Sequence, residues 1–247
     1  MRENIIVSGI VLDTSLLKEY DKRLVILTAE LGRITAFANG ARKKNSPLTA
    51  ASQRFVMGKF TIRPSHTAYT LVSAEIKDSF RDLSQDLEKM SYASYACEVM
   101  DYFTEEGLGA KNELNLLYVT FKALIAGKLS LSFIRSAFEL KELELEGYGL
   151  QMSRCVKSGV ETDLHHISLE DGGLLCDAVT PQVHTARLIS EEAIYGIRLL
   201  LSKDLNSLYS FSVPEGTINE IDKLASDYMK IHTDRKFKSL DIIAPLM

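Results

Sequence analysis

Two cysteines that flank a pair of histidines are the side chains best suited to holding a metal ion. Structural zinc takes four ligands in a tetrahedron, and two Cys-x-x-Cys turns supply them efficiently. Each turn is half present here, because "CVKS" pairs Cys155 with Ser158 and "CDAV" pairs Cys176 with Val179. Substitute ligands would have to come from His165, His166, Asp163 or His184. We therefore expect no metal and no other cofactor, with Cys155 and Cys176 as the only retained candidate ligands and a zinc site as the alternative.

A basic run in "LGRITAFANGARKKNSPL" (31–48) could bind a polyanion. An apolar, strand-like segment breaks there into small residues, and Arg42, Lys43 and Lys44 follow. Single-stranded nucleic acid is typically held by a positive groove along the phosphates and by aromatic faces that stack on bases. The candidate phosphate contacts in this part of the chain are Arg33, Arg42, Lys43, Lys44, Arg54 and Lys59. A solvated basic turn with no partner is the alternative interpretation.

Aromatic side chains in the same region could stack on bases or fill a core. They are Phe37, Phe55, Phe60 and Tyr69. Each lies in a strand-like run, where the ring would pack equally well inside the protein. We favour a core position for Phe37 and Phe60. The cations are the stronger indication, since core packing gives no reason to have them.

Known catalytic motifs are missing from the sequence. There is no G-x-x-x-x-G-K-[ST] phosphate-binding loop, no H-E-x-x-H and no G-x-S-x-G. Glu142, Glu144 and Glu146 alternate along a helical segment, and this spacing separates the carboxylates instead of directing them to one reaction centre. We expect the protein not to be an enzyme. A hydrolase or transferase that uses the His165, His166 and Asp163 side chains is a weaker alternative.

The net charge of −4 conceals an uneven distribution. Residues 1–80 contain 12 Lys and Arg against 7 Asp and Glu, a balance of +5. Subtraction from the totals of 29 and 33 leaves 17 against 26, or −9, for residues 81–247. Electrostatic attraction acts through the local potential, so a basic N-terminal part can bind polyanions on an otherwise acidic protein.

Composition predicts a globular protein in a reducing compartment. The 247 residues are 46% hydrophobic, which is sufficient for real cores. The three cysteines are an odd and widely spaced number, which argues against a disulfide framework. The apolar patch in "MRENIIVSGIVLDTS" is too short and too interrupted for a signal peptide or a membrane span. We expect a cytoplasmic protein that does not associate with membranes.

Short strands are predicted throughout the first 80 residues. Their apolar runs are rich in β-branched and aromatic residues and lie at 5–12, 23–28, 33–38, 54–63 and 68–76. "AELG" (29–32) has the length of a hairpin loop, and Gly32 can take the positive φ that such a turn requires. Five strands in this length suggest a small closed barrel.

Helical periodicity begins after residue 80. Apolar side chains recur at helical spacing within 90–104, 114–124 and 221–231, and the segment 132–145 is apolar on more than one face, as in a buried helix. Thr217 and Glu220 have the spacing of a capping box at the start of the last helix. Within residues 147–189 the apolar side chains no longer recur at helical spacing, and several glycines are present. This segment therefore indicates an irregular inserted module.

At this stage the chain resembles the RecO family of bacterial recombination mediators. The resemblance begins with "GIVLDTSLLKEYDKRLVILTAELGRITAFANGARKKNSPL" (9–48), which carries the opening G-x-V-L-x-T, the E-x-D segment, the T-x-x-x-G-R turn and the A-x-G-A-R-K ending. Four further segments follow in the order of the family: "YASYACEVMDYFTEE", "FELKELELEGYGLQMSRC", "EDGGLLC" and "DYMKIHTDRKFKSLDII". The resemblance therefore covers essentially the whole chain.

The resemblance implies an α+β multidomain protein. Residues 1–80 would form an OB-fold that binds DNA, and 81–247 a mostly helical domain with a degenerate zinc-finger-like module inserted at 147–189. Zinc-binding members of the family carry four cysteines, and positions 158 and 179 depart from that pattern. The family also contains members without the metal site.

The resemblance also implies partners and a function. RecO proteins bind single- and double-stranded DNA, anneal complementary strands and, with RecR, help RecA to load onto strands covered by single-strand-binding protein. The acidic C-terminal tail of single-strand-binding protein docks on RecO in this family. We thus expect a DNA repair and recombination mediator associated with the nucleoid. The alternative is an adaptor that uses its OB-fold only to bind proteins.

Overall fold

The structure is a computed structural model that describes residues 3–243, and these residues form two compact units. One unit contains the described residues up to Phe121 and those from Phe237 onward, and the other is Lys122–Lys236. The predicted boundary at residue 80 separates strands from helices, since the last barrel strand ends at Asp78 and the first long helix begins at Leu87. The first compact unit nevertheless includes the helix that begins at Leu87, because this helix packs against the barrel strands.

The first unit is built around a closed five-stranded barrel, as predicted. Its strands are β1 Ile5–Leu17, β2 Asp21–Thr28, β3 Gly32–Ala38, β4 Met57–Pro64 and β5 Tyr69–Asp78. The order around the barrel is β1-β2-β3-β5-β4. All pairs are antiparallel except β3 with β5, which closes the barrel through a short parallel contact. The chain therefore has the predicted α+β organisation, with an OB-type barrel followed by a helical region.

Alternation along the strands explains which residues fill the barrel. In β3, Ile34, Ala36 and Ala38 are buried and the residues between them point outward. The strand predicted from residue 54 begins only at Met57, because Phe55 adopts a positive φ of 68° and interrupts the extended backbone. The buried side chains thus include residues from turns as well as from strands.

The hairpin between β2 and β3 is held by a close backbone approach. Gly32 has a φ of +66°, which confirms the positive φ predicted for this turn. A Cβ atom at Gly32 would lie 2.0 Å from the carbonyl oxygen of Glu105, so no side chain fits there. The Gly107 N–H donates to the carbonyl oxygen of Leu31 at 2.9 Å. Glycine is therefore required both by backbone conformation and by the segment that covers the turn.

The described part of the first unit also contains three complete α-helices and the first part of a fourth; the complete helices are α1 Leu48–Ala51, α2 Leu87–Phe103 and α7 Leu240–Ile243. Helix α2 begins after Asp86, whose carboxylate accepts hydrogen bonds from the backbone N–H groups of Glu88 and Lys89. The division between the two units falls inside α3, Lys111–Ala126. No helix within 3–243 is both long and apolar enough to cross a membrane.

The second unit combines three helices with a small sheet. The helices are α4 Leu131–Leu145, α5 Glu191–Ser202 and α6 Glu215–Ile231. Every residue of α4 from Phe133 to Leu143 is buried, which confirms the predicted central helix. The predicted capping box is wrong, because α6 begins after Pro214, and Glu220 instead accepts hydrogen bonds from the backbone and hydroxyl of Ser190.

The segment 147–189 forms a compact, mostly irregular module. Its strands are β6 His166–Ser168, β7 Gly173–Leu175 and β8 Arg187–Leu188, in the sheet order β7-β6-β8. Hydrogen bonds between Gln151 and the backbone of Gly172 and Leu174 extend this sheet at one edge. The short strands explain why the sequence shows no sustained period here.

Candidate nucleic-acid interface

The turn that joins β1 to β2 is fastened to the basic turn that follows β3. The Gly40 N–H donates to Asp21 Oδ1 at 2.7 Å, and the Arg42 N–H donates to the carbonyl oxygen of Tyr20 at 2.9 Å. The Arg42 guanidinium donates through one terminal nitrogen to the carbonyl oxygen of Glu19 at 2.9 Å. These three bonds give the E-x-D segment a physical role, since its aspartate anchors the basic turn. The two turns together form one rigid end of the barrel.

Six cations are concentrated at this end, which we call the basic edge. They are Lys18, Lys22, Arg23, Arg42, Lys43 and Lys44. The same two segments, 18–23 and 42–44, contain two acidic residues, Glu19 and Asp21, so the balance of six against two is +4. Within residues 3–243, none of the six cations forms an ion pair with a carboxylate. An anion from outside the chain would therefore meet cations that have no competing carboxylate partner.

Lys22 is a partly buried cation of the basic edge. Burial, and then the positive charge of Arg42, lower the pKa of the Lys22 ammonium below its ordinary value. The ammonium donates to the carbonyl oxygen of Ser52 at 2.9 Å, which ties β2 to the end of α1. Lys22 therefore contributes charge from a fixed and partly buried position. Lys43 and Lys44 are exposed.

The predicted cations Arg33 and Arg54 lie apart from the basic edge and take part in the fold. Arg33 donates from Nε to the carbonyl oxygen of Thr104 at 3.0 Å and pairs with Asp101 at 3.6 Å, which fastens β3 to the end of α2. Arg54 donates to the carbonyl oxygen of Leu12 at 3.2 Å and pairs with Asp13 at 3.7 Å. Both side chains already have partners within the first unit.

The predicted cation Lys59 lies on another face of the barrel. It lines an open groove of about 540 Å³ formed by β1, β4 and β5. Glu30 and Glu75 line the same groove, so the cation there is opposed by two carboxylates. The six predicted phosphate contacts therefore separate into a cluster at Arg42, Lys43 and Lys44 and three dispersed side chains. Their roles in DNA binding stay predictions.

The aromatic candidates divide according to the face of the barrel that they occupy. Phe55 and Phe60 are fully buried, so neither ring can stack on a base. Phe37 is half-buried on the outward face of β3, and the core position favoured for it is wrong because the strand alternation turns it outward. Tyr69 is also half-buried. The exposed ring nearest the cations is Tyr20, a residue that the sequence analysis missed.

The two incomplete Cys-x-x-Cys turns of the inserted module, at 155–158 and 176–179, do not supply the four ligands that a zinc ion requires. The Ser158 hydroxyl lies 3.4 Å from Cys176 Sγ, where a further thiolate would be needed, and Val179 has no donor atom. Among the residues that the structure describes, no three His, Cys, Asp or Glu side chains are grouped to hold a metal. His165 instead contacts Asp177, with Nδ1 3.1 Å from a carboxylate oxygen.

Hydrogen bonds surround the Cys155 thiol. Burial opposes ionisation of this thiol, but the Ser158 hydroxyl and the backbone N–H groups of Cys176, Ser158 and Lys157 outweigh it and lower the pKa of Cys155 to about 6. Both turns retain a tight backbone, since Gly159 N–H donates to the Cys155 carbonyl and Val179 N–H to the Cys176 carbonyl. Both segments therefore form turns, although Ser158 and Val179 stand where zinc-binding turns carry cysteines.

Comparison with known proteins covers both parts of the chain. Residues 1–80 match the family model "Recombination protein O N terminal", and residues 84–241 match "Recombination protein O C terminal". The "DNA repair protein RecO" of Alkaliphilus metalliredigens is 31% identical over 236 residues, which are 95% of this chain and 96% of the relative. The protein of the same name from Clostridium perfringens is 32% identical and that from Acetivibrio thermocellus 29% identical; the alignments cover 95% and 97% of this chain, and 95% and 96% of those relatives.

Proposed function

The chain belongs to the RecO family of DNA repair proteins, and from this premise we propose that it binds single- and double-stranded DNA through the basic edge and anneals complementary strands. The observation that supports the proposal is the local charge of +4 on a rigid barrel end without carboxylate partners. Cations in such a position bind phosphates and release counterions, which is the main source of affinity that does not depend on sequence.

Annealing follows from the same electrostatics. Two DNA strands repel each other through their phosphates, and a protein surface that neutralises several phosphates reduces this repulsion. No covalent bond is made or broken, so we propose that the protein is not an enzyme.

The proposed partners follow from family membership. We propose that the chain acts with RecR and with the C-terminal tail of single-strand-binding protein, so that RecA can load onto covered strands. We propose that the protein acts at the nucleoid in the cytoplasm, where DNA repair takes place. The second unit, residues 122–236, contains 13 Lys and Arg against 17 Asp and Glu, a balance of −4; it offers surface for protein partners, and the basic edge of the first unit is left for DNA.

A salt titration of strand binding and annealing tests this function. If the basic edge neutralises about four phosphates, the logarithm of affinity for single strands should fall against the logarithm of salt concentration with a slope of about −3. Fluorescence anisotropy of a labelled oligonucleotide measures the slope, and annealing of two complementary oligonucleotides is followed under the same conditions. Binding that does not respond to salt would refute the electrostatic mechanism. Loss of DNA binding together with retained RecR binding would favour the adaptor alternative.

We also propose that the inserted module works without zinc. Elemental analysis of purified protein should find zinc far below one ion per chain, because two thiols and one hydroxyl make an incomplete ligand set. The double variant Ser158→Cys, Val179→Cys should instead bind about one ion per chain, since it restores four thiols on two retained turns. Ser158→Cys alone is the control. One zinc ion per wild-type chain would show that another donor completes the site.

A further inference from the structure

Tyr20 presents an aromatic ring at the centre of the basic edge. Its relative exposure is 43%, the largest of any aromatic residue described in the barrel. It occupies the turn between β1 and β2, with Glu19 and Asp21 next to it in sequence and Lys18 and Lys22 two positions away on either side. A singly exposed aromatic ring is common on protein surfaces and by itself indicates nothing. Tyr20 differs from an ordinary exposed ring in two respects: hydrogen bonds hold its backbone, and cations lie near it.

The backbone of Tyr20 is held in place from two sides. Its carbonyl oxygen accepts the hydrogen bond from the Arg42 N–H, and the next residue, Asp21, accepts the one from Gly40. Glu19, the residue before it, accepts from the Arg42 side chain. The ring therefore projects from a turn whose conformation is determined before any ligand arrives. Binding would cost little ordering of the backbone, which favours affinity.

A cation lies over one face of the ring. The Lys43 ammonium is over the Tyr20 ring at 5.9 Å from its centroid, and its aliphatic stem runs past Gly40, so a base would stack on the opposite face. A nucleotide offers an aromatic base and a phosphate a few ångströms apart. An aromatic face next to an ammonium group matches both parts of that ligand, and this pairing is how proteins hold single strands without reading their sequence.

We propose that Tyr20 is a stacking platform for an unpaired base, with Lys43 on the adjoining phosphate. This inference rests on the proposed function, because it assigns a residue to the same DNA site. It adds a preference for single-stranded over duplex DNA, which phosphate contacts alone do not provide. Bases within a duplex are already stacked and paired, so only single strands and strand ends gain from the ring.

A single tryptophan tests the stacking directly. The chain contains no Trp, so Tyr20→Trp introduces a unique emission signal at the platform. Oligo(dT) should quench this emission, whereas a strand of abasic residues of equal length and charge should leave it nearly unchanged. Tyr195→Trp is the matched control, because Tyr195 is also exposed but lies on α5 in the other unit. Emission at position 20 that does not respond to bound oligo(dT) would overturn the inference.

Affinities provide the second measurement. Tyr20→Leu removes the ring and keeps apolar bulk, and it should weaken binding of oligo(dT) by about tenfold, the effect typical of one stacked base. Binding of the abasic strand and of duplex DNA should be unchanged, and Tyr20→Phe should behave as the wild type. Equal affinity of Tyr20→Leu and wild type for oligo(dT) would overturn this inference and leave the proposed function intact. Failure of the wild type to bind any of these strands would overturn both.

Discussion

Replacement of Arg42, Lys43 and Lys44 together by alanine should weaken binding of single-stranded DNA on the order of 100-fold at low salt. The three side chains are exposed on the basic edge, as is Lys18, and they have no carboxylate partners within residues 3–243. Removal of three phosphate contacts should also reduce the magnitude of the salt slope by about 2, since each contact on a single strand contributes about 0.7. Anisotropy titrations at several salt concentrations measure both effects.

The loss should be the same for oligo(dT) and oligo(dA), because phosphate contacts carry no base information. Alanine replacement of Lys111, Lys128 and Lys223 is the matched control. These lysines are exposed and lie outside the barrel, and their replacement removes the same total charge. An equal loss of affinity in the two triple variants would mean that net charge, and not the basic edge, governs binding. Unchanged affinity in the first variant would exclude this turn from the DNA site.

Asp222→Ala should destabilise the second unit by about 3 kcal/mol or more. Asp222 on α6 is buried and accepts a hydrogen bond from a terminal guanidinium nitrogen of Arg135 at 2.6 Å and one from the Ser136 hydroxyl at 2.9 Å. Both partners lie on α4, so the carboxylate joins the two helices. Its removal leaves a buried guanidinium without that charge, and breaking such a buried pair typically costs about 3–5 kcal/mol. Urea unfolding followed by circular dichroism measures the change.

A control on the same helix separates burial from charge. Asp227 pairs with Arg187 at 3.0 Å and with Lys230 at 3.2 Å, but these groups are partly exposed. Exposed ion pairs typically contribute about 0–1 kcal/mol, so Asp227→Ala should cost much less than Asp222→Ala. If both variants unfold at the same urea concentration, burial of the Asp222 pair does not set the stability of this unit.

Local patterns predicted the secondary structure because they depend on neighbouring residues. Period-two alternation and β-branched composition located the five strands, and the helical period located α2, α3, α4 and α6. The errors arise where backbone conformation or a contact with a distant residue overrides the local pattern. The run from residue 54 reads as one strand, yet the positive φ of Phe55 delays the strand to Met57. The capping box at Thr217 failed because Glu220 bonds to Ser190, a residue thirty positions away.

The expectation of no bound zinc rests first on residue types and stays a prediction. Ser158 and Val179 at the knuckle positions predicted an incomplete ligand set before any geometry was known. Only the folded chain shows that the Ser158 hydroxyl sits beside Cys176 and that both turns survive without a full set of ligands. Whether a side chain can ligate a metal follows from its residue type. The contact between the Ser158 hydroxyl and Cys176 depends on the fold, which brings the two turns together.

By itself, the sequence determined the barrel, the helical remainder, the uneven charge and the run Arg42–Lys44, because each depends on residues close together in the chain. Only the folded chain shows which cations lie together. It tied Arg33 to Asp101, placed Lys59 beside carboxylates and brought the turn around Tyr20 against the basic turn after β3. Those contacts join residues about twenty to seventy positions apart, as chain folding dictates. No local pattern encodes such separations, and for that reason Tyr20 and its fixed turn emerged only from the folded chain.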